Sequence, residues 1–328
     1  MGINEKKILK CKVRLVNKGT TSNPDKTIFD VHHDYGVTNL SIPTFSPTGT
    51  IDVGQLYLTD QPGSNTISSL IASEKQFNFN NCNLLQKSIK ITRDLTINQD
   101  HIFTNCYVYL AEGKKIVVNP GIKLTICKSV VNSCDNFWNT IELMPGALLI
   151  IDNSTVNNAE HVTTSLGSNS ITIGNNTIIQ SCQNGITCSD IGSGAEISIT
   201  DSEMEGISGY IVKIVNADNF ECINSQFNNC FGGIGLYNSD AQIKGSNFFG
   251  IGNGYRGVTE TSAPWKGTAI YSEGTSSVKL ETIMDADPHA SKNKFIDFNC
   301  GIYNSGTSFD LQGNEMRNGE YGIYIANS

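Results

Sequence analysis

A chain of 328 residues with 38% apolar content is long enough for a large core, and a net charge of −8 with 16% charged residues argues against a nucleic-acid partner. No Lys/Arg cluster interleaved with aromatics offsets that acidity, and no run approaches the roughly 18 apolar residues of a membrane span. Residues 1–7 lead into no apolar stretch of the kind a signal peptide carries, so the chain as it stands is expected to be soluble, either trimmed or part of a longer exported protein.

Residues 1–60 read as four strands, at 13–19, 27–31, 37–42 and 51–58, with turn residues between them. They suggest an N-terminal β-rich cap or partial β-sandwich that covers the apolar end of the segment C-terminal to it. His32, His33 and Asp34 have metal-ligand chemistry, but neighbours on a strand point to opposite faces, which favours exposed polar residues over a shared site. Residues 61–87, with Pro62-Gly63-Ser64-Asn65, read as a connection. Short strands then begin near 88–91 and continue through 107–110, 116–118 and 124–126.

From Leu124 onward the chain repeats itself. A polar-then-apolar phrase recurs at Ser129-Val130-Val131, Ser154-Thr155-Val156, Asn176-Thr177-Ile178, Ser202-Glu203-Met204, Ser225-Gln226-Phe227, Ser246-Asn247-Phe248, Asn293-Lys294-Phe295 and Asn314-Glu315-Met316. Its apolar ends lie 25, 22, 26, 23, 21, 47 and 21 residues apart, the 47 reading as two turns of one period. After each phrase comes an apolar-x-apolar triplet such as Ile141-Glu142-Leu143, Ile186-Thr187-Cys188, Val212-Lys213-Ile214 or Ile234-Gly235-Leu236. Then comes a second triplet, such as Leu148-Leu149-Ile150, Ile197-Ser198-Ile199 or Val278-Lys279-Leu280. Period-two alternation puts the outer members of each triplet inward. Small polar residues at the first phrase suit a tight bend with side chains bonded along the stack, and Gly185, Gly233, Gly301 and Gly322 are expected to mark the next bend. One coil cannot bury its apolar face alone, but stacked coils share a core and pair their backbones. The fold class is all-β, a parallel β-helix over residues 88–328 with insertions near 253–266 and 282–292.

The run Met144-Pro145-Gly146-Ala147-Leu148-Leu149-Ile150-Ile151-Asp152-Asn153-Ser154-Thr155-Val156, preceded by Trp138-Asn139-Thr140-Ile141, resembles the right-handed parallel β-helix repeats of large secreted bacterial surface proteins. These belong to the same broad superfamily as pectate lyases. The resemblance covers roughly residues 88–328. It implies a right-handed solenoid and an extracellular or cell-surface setting. It leaves activity open, since the superfamily holds lyases, hydrolases, epimerases, tailspikes and adhesins.

The ten cysteines lie in strand phrases or near bends, and inward stacking as small hydrophobes, disulfides such as Cys182 with Cys188 or Cys230, and metal binding are the three readings. Asp285 and Asp287 put two carboxylates on one side of an extended loop, a candidate calcium site or an ordinary solvated loop, and no other cofactor is indicated. A lyase needs acidic residues and a base on neighbouring coils, yet Glu142 and Lys213 fall three coils, about 14 Å, apart. Glycoside hydrolysis needs two carboxylates roughly 5 to 10 Å apart, and Glu196, Asp201, Glu203 and Asp240 give no such pair at matching phase. Tyr271, Tyr303 and Tyr324 recur at one outward phase and predict a tyrosine stripe, either self-stacking or a platform for sugar rings. Tyr255, Arg256, Trp265 and Lys266 on the first insertion would wall a groove beside it. The expected function is a non-catalytic extracellular β-helix that presents a surface to glycan or another partner, or serves as a stalk. A polysaccharide lyase or glycoside hydrolase is the alternative.

Overall fold

The computed structural model describes residues 68, 88–133, 136–190, 196–252, 267–274, 277–283, 292–306 and 308–326. The expected cap and the His32, His33, Asp34 cluster lie outside the described residues. Within them the period-two alternation produces three parallel sheets that wrap one core, so the chain is an all-β parallel solenoid. The first sheet has ten strands, from Ser88–Ile91 to Glu315–Arg317, and carries the Ser/Asn phrases. The second has ten, from Leu95–Ile97 to Tyr321–Ala326, and the third nine, from His101–Thr104 to Ser308–Leu311. In each sheet a strand pairs with its equivalents in the coils above and below, so nearly every backbone group finds a partner along the axis.

The interior is built from aligned columns. On the first sheet Phe227, Phe248 and Phe295 stack with centroids 4.8 and 5.0 Å apart, all three buried. Trp138 is buried too, its indole N–H donating to the Asn157 carbonyl at 2.7 Å. Most corners turn through a left-handed residue, and outside glycine that residue is nearly always Asn or Asp: Asn153, Asp201 and Asn224 at one corner, Asn158 and Asn229 at the next, Asp190 and Asn216 at the third. Their short polar side chains tolerate this conformation. The expected polar ladder is present. Ser129 N–H donates to Ser154 Oγ at 3.0 Å, Ser225 N–H to Ser246 Oγ at 3.2 Å, Ser246 N–H to Asn293 Oδ1 at 2.9 Å, and Asn293 Nδ2 to Asn314 Oδ1 at 2.9 Å.

Several expectations shift. The 47-residue gap is one coil and not two, because Phe248 pairs directly with Phe295. Thr177, not Asn176, stands in the polar ladder, and Ile179 rather than Ile178 points inward. Asn175 and Asn176 are both left-handed there, so that corner takes one residue more and moves the register by one. Leu149 and Ile151 face the core in place of Leu148 and Ile150, since the four-residue apolar run has no alternation of its own and the register comes from pairing with Ile171 and Ile173. Gly185 and Gly233 sit inside strands Asn184–Ser189 and Gly232–Tyr237, not at bends. A Cβ on them would lie 2.0 Å from the Ile211 carbonyl oxygen and 1.9 Å from that of Ala269, so glycine is required by the close approach of the next coil.

Candidate functional site

The outward column of the second sheet runs Glu142, Thr164, Thr187, Lys213, Gly235, Tyr271, Tyr303, Tyr324, one residue per coil. The three tyrosines predicted to share a phase therefore stand on successive coils. Tyr271 and Tyr303 stack at 4.9 Å with 14° between planes, and Tyr303 and Tyr324 at 5.2 Å with 14°. Below them Tyr237 packs on Tyr271 at 5.4 Å, and its hydroxyl meets that of Tyr210 at 2.6 Å. Gly235 leaves room for the Tyr210 ring, since a Cβ there would lie 2.6 Å from its Cε1. The Lys213 ammonium lies 5.7 Å from the centroids of both Tyr210 and Tyr237, within cation–π range.

A face-to-face stack uses up ring faces, so the stripe is not uniformly open. Tyr271 is only 4% exposed, packed with Tyr210 and Phe231, and its hydroxyl donates to Glu273 at 2.7 Å. Burial first, and that bond second, push its pKa up. It supports the row from within rather than presenting a ring to solvent. Aromatic surface emerges at the end of the row, where Tyr324 is 46% and Tyr321 51% exposed, the two rings meeting edge to face at 6.1 Å and 78°. Here Tyr303, Tyr321 and Tyr324 line a cleft of about 300 Å³ with Thr268, Asn299, Cys300 and Glu320. The combination of flat rings with an amide, a hydroxyl and a carboxylate is the chemistry that holds sugar rings.

Asn299 also lines a second hollow, of about 360 Å³, around the adjoining corner. That hollow carries Phe249, 43% exposed, beside Asn229, Asp297 and Asn318, whose amide donates to Asp297 Oδ1 at 3.0 Å. Neither Asn299 and Glu320 nor Phe249 belongs to the column on which the tyrosines were found. Only the outward phase of Phe249 beside inward Phe248 signals it in the sequence.

The remaining candidates separate. Tyr255, Arg256, Trp265, Lys266, Asp285 and Asp287 lie outside the described residues. Glu142 bonds Lys115 at 2.6 Å, which raises the lysine pKa chiefly through that hydrogen bond, while Thr164 and Thr187 occupy the rungs between Glu142 and Lys213. Cys182, Cys188 and Cys230 are free and buried, so the disulfides suggested among them do not form; burial pushes each thiol up to about 12. Cys106 is disulfide-bonded. Among the described residues no group of three or more His, Cys, Asp or Glu side chains comes together as a metal site, and no helix is long and apolar enough to cross a membrane.

No family model, curated protein or solved structure matches the chain. The β-helix rests on the three parallel sheets; kinship with pectate lyases or bacterial surface proteins has no match behind it.

Proposed function

We propose that this protein is a non-catalytic extracellular β-helix that binds glycan at the Tyr303–Tyr324 end of its tyrosine row. One observation carries the reading: Tyr271 is buried within the row, while Tyr303, Tyr321 and Tyr324 line a cleft where aromatic surface and hydrogen-bonding groups meet. Stacked coils make a stiff mount for such a cleft, because each ring is fixed by the coil beneath it. An oxidising exterior is tolerable for this chain, since its buried thiols stay protonated and shielded.

The test is retention on a panel of immobilised neutral and acidic polysaccharides, with the soluble phase assayed for new double bonds and reducing ends. Retention without product is expected, and Tyr324→Ala and Tyr303→Ala should each weaken it about ten-fold or more. Unchanged retention in both variants would end the proposal. Release of unsaturated or reducing ends would replace binding by cleavage and favour a polysaccharide lyase or glycoside hydrolase.

A further inference from the structure

We infer that the glycan site is a track of at least two subsites, one in the tyrosine cleft and one in the Phe249 hollow, with Asn299 at the junction. The inference rests on the glycan reading above and adds to it the form of the ligand: an oligosaccharide, not a single sugar or a terminal residue.

Asn299 lines both hollows, so they are neighbours across a single side chain. It follows the corner that begins at left-handed Asp297, and it is held there by its backbone N–H donating to the Gly267 carbonyl at 3.2 Å. The wall between the hollows is thus part of the solenoid rather than of a loose loop. The second hollow repeats the chemistry of the first. It has an exposed ring in Phe249, and amide and carboxylate groups in Asn229, Asn318 and Asp297. Phe249 is outward on strand Asn247–Phe249, next to Ile296 of the following coil, and nothing in the core requires an aromatic residue at an exposed position. An aromatic ring held open to water beside polar groups that bond hydroxyls is suited to the two faces of a pyranose. Because the hollows lie on either side of a corner, the bound chain runs around the coil and not along the axis.

The experiment is calorimetric titration with glucose, mannose and galacturonate and with their oligomers of two, four and six units. Wild-type protein should gain affinity with chain length, about ten-fold or more between one unit and four, in at least one series. Phe249→Ala should remove most of that gain while leaving binding of the shortest ligand unchanged, whereas Tyr324→Ala should weaken every length. Phe249 is exposed, so its replacement leaves the core intact, and Asn318→Ala provides a second variant of the same hollow. A full length-dependent gain in both Phe249→Ala and Asn318→Ala, or equal affinity for one unit and six, overturns the two-subsite track while the tyrosine cleft stands. Loss of nothing in Tyr324→Ala, or no binding in any series, overturns both.

Discussion

His101 is a titratable side chain turned inward, 5% exposed, with its ring edge against Phe103 at 4.5 Å and its Nε2 without a hydrogen-bond partner. Burial lowers its pKa from 6.5 to about 4. The folded state thus favours the neutral ring, so its contribution to stability is complete above pH 6.5 and is lost as pH falls toward 4. Denaturant unfolding should show about 3 kcal/mol of that loss between pH 7 and 4, absent in His101→Leu. An unchanged pH dependence in the variant would show that the ring is hydrated. Asn169 presents the opposite case, a buried amide with its partners in place. It accepts from Ala147 N–H at 2.8 Å, donates to Ser165 Oγ at 2.7 Å, and also reaches the Leu143 and Leu166 carbonyls. Asn169→Leu should cost roughly 2–4 kcal/mol by orphaning these groups, measured by the same unfolding.

At the scale of the strand, alternation decides which face is core wherever it is strict. Ile141-Glu142-Leu143 and Val212-Lys213-Ile214 are read correctly from the sequence, as is the shared column of Tyr271, Tyr303 and Tyr324, although Tyr271 is buried rather than open to water. It fails where the pattern degenerates. Leu148 to Ile151 is apolar throughout, and the strand His161–Leu166 goes unseen because Thr163 and Ser165 take inward places. Thr163 is accommodated by donating its hydroxyl to the Ile141 carbonyl at 2.8 Å. The cleft was legible only in part for a related reason. Repeats align residues within one column, whereas Asn299, Glu320 and Phe249 come from corners and from a different sheet. The coil between Ser246 and Asn293 makes a sharp test of element pairing. Phe248 is sandwiched between Phe227 and Phe295, so Phe248→Ala should cost about 3–5 kcal/mol in unfolding. A cost under about 1 kcal/mol would place Phe295 elsewhere.

Over the whole molecule, the sheets make the axis a line along which chemistry accumulates by repetition. Serines form a hydrogen-bonded ladder, phenylalanines an inner stack and tyrosines an outer one. The outer stack buries Tyr271 and leaves ring surface open at Tyr321 and Tyr324, where the proposed ligand would meet it. Hydroxyl-radical footprinting reads tyrosine exposure directly, with and without the polysaccharide that the panel retains. Tyr321 and Tyr324 should label strongly in the free protein and Tyr271 hardly at all. On adding glycan the labelling of Tyr321 and Tyr324 should fall several-fold, while Tyr107, 47% exposed near the other end, stays unchanged. Equal labelling of Tyr324 with and without glycan, or protection of Tyr107 in its place, would contradict the assignment of the binding cleft.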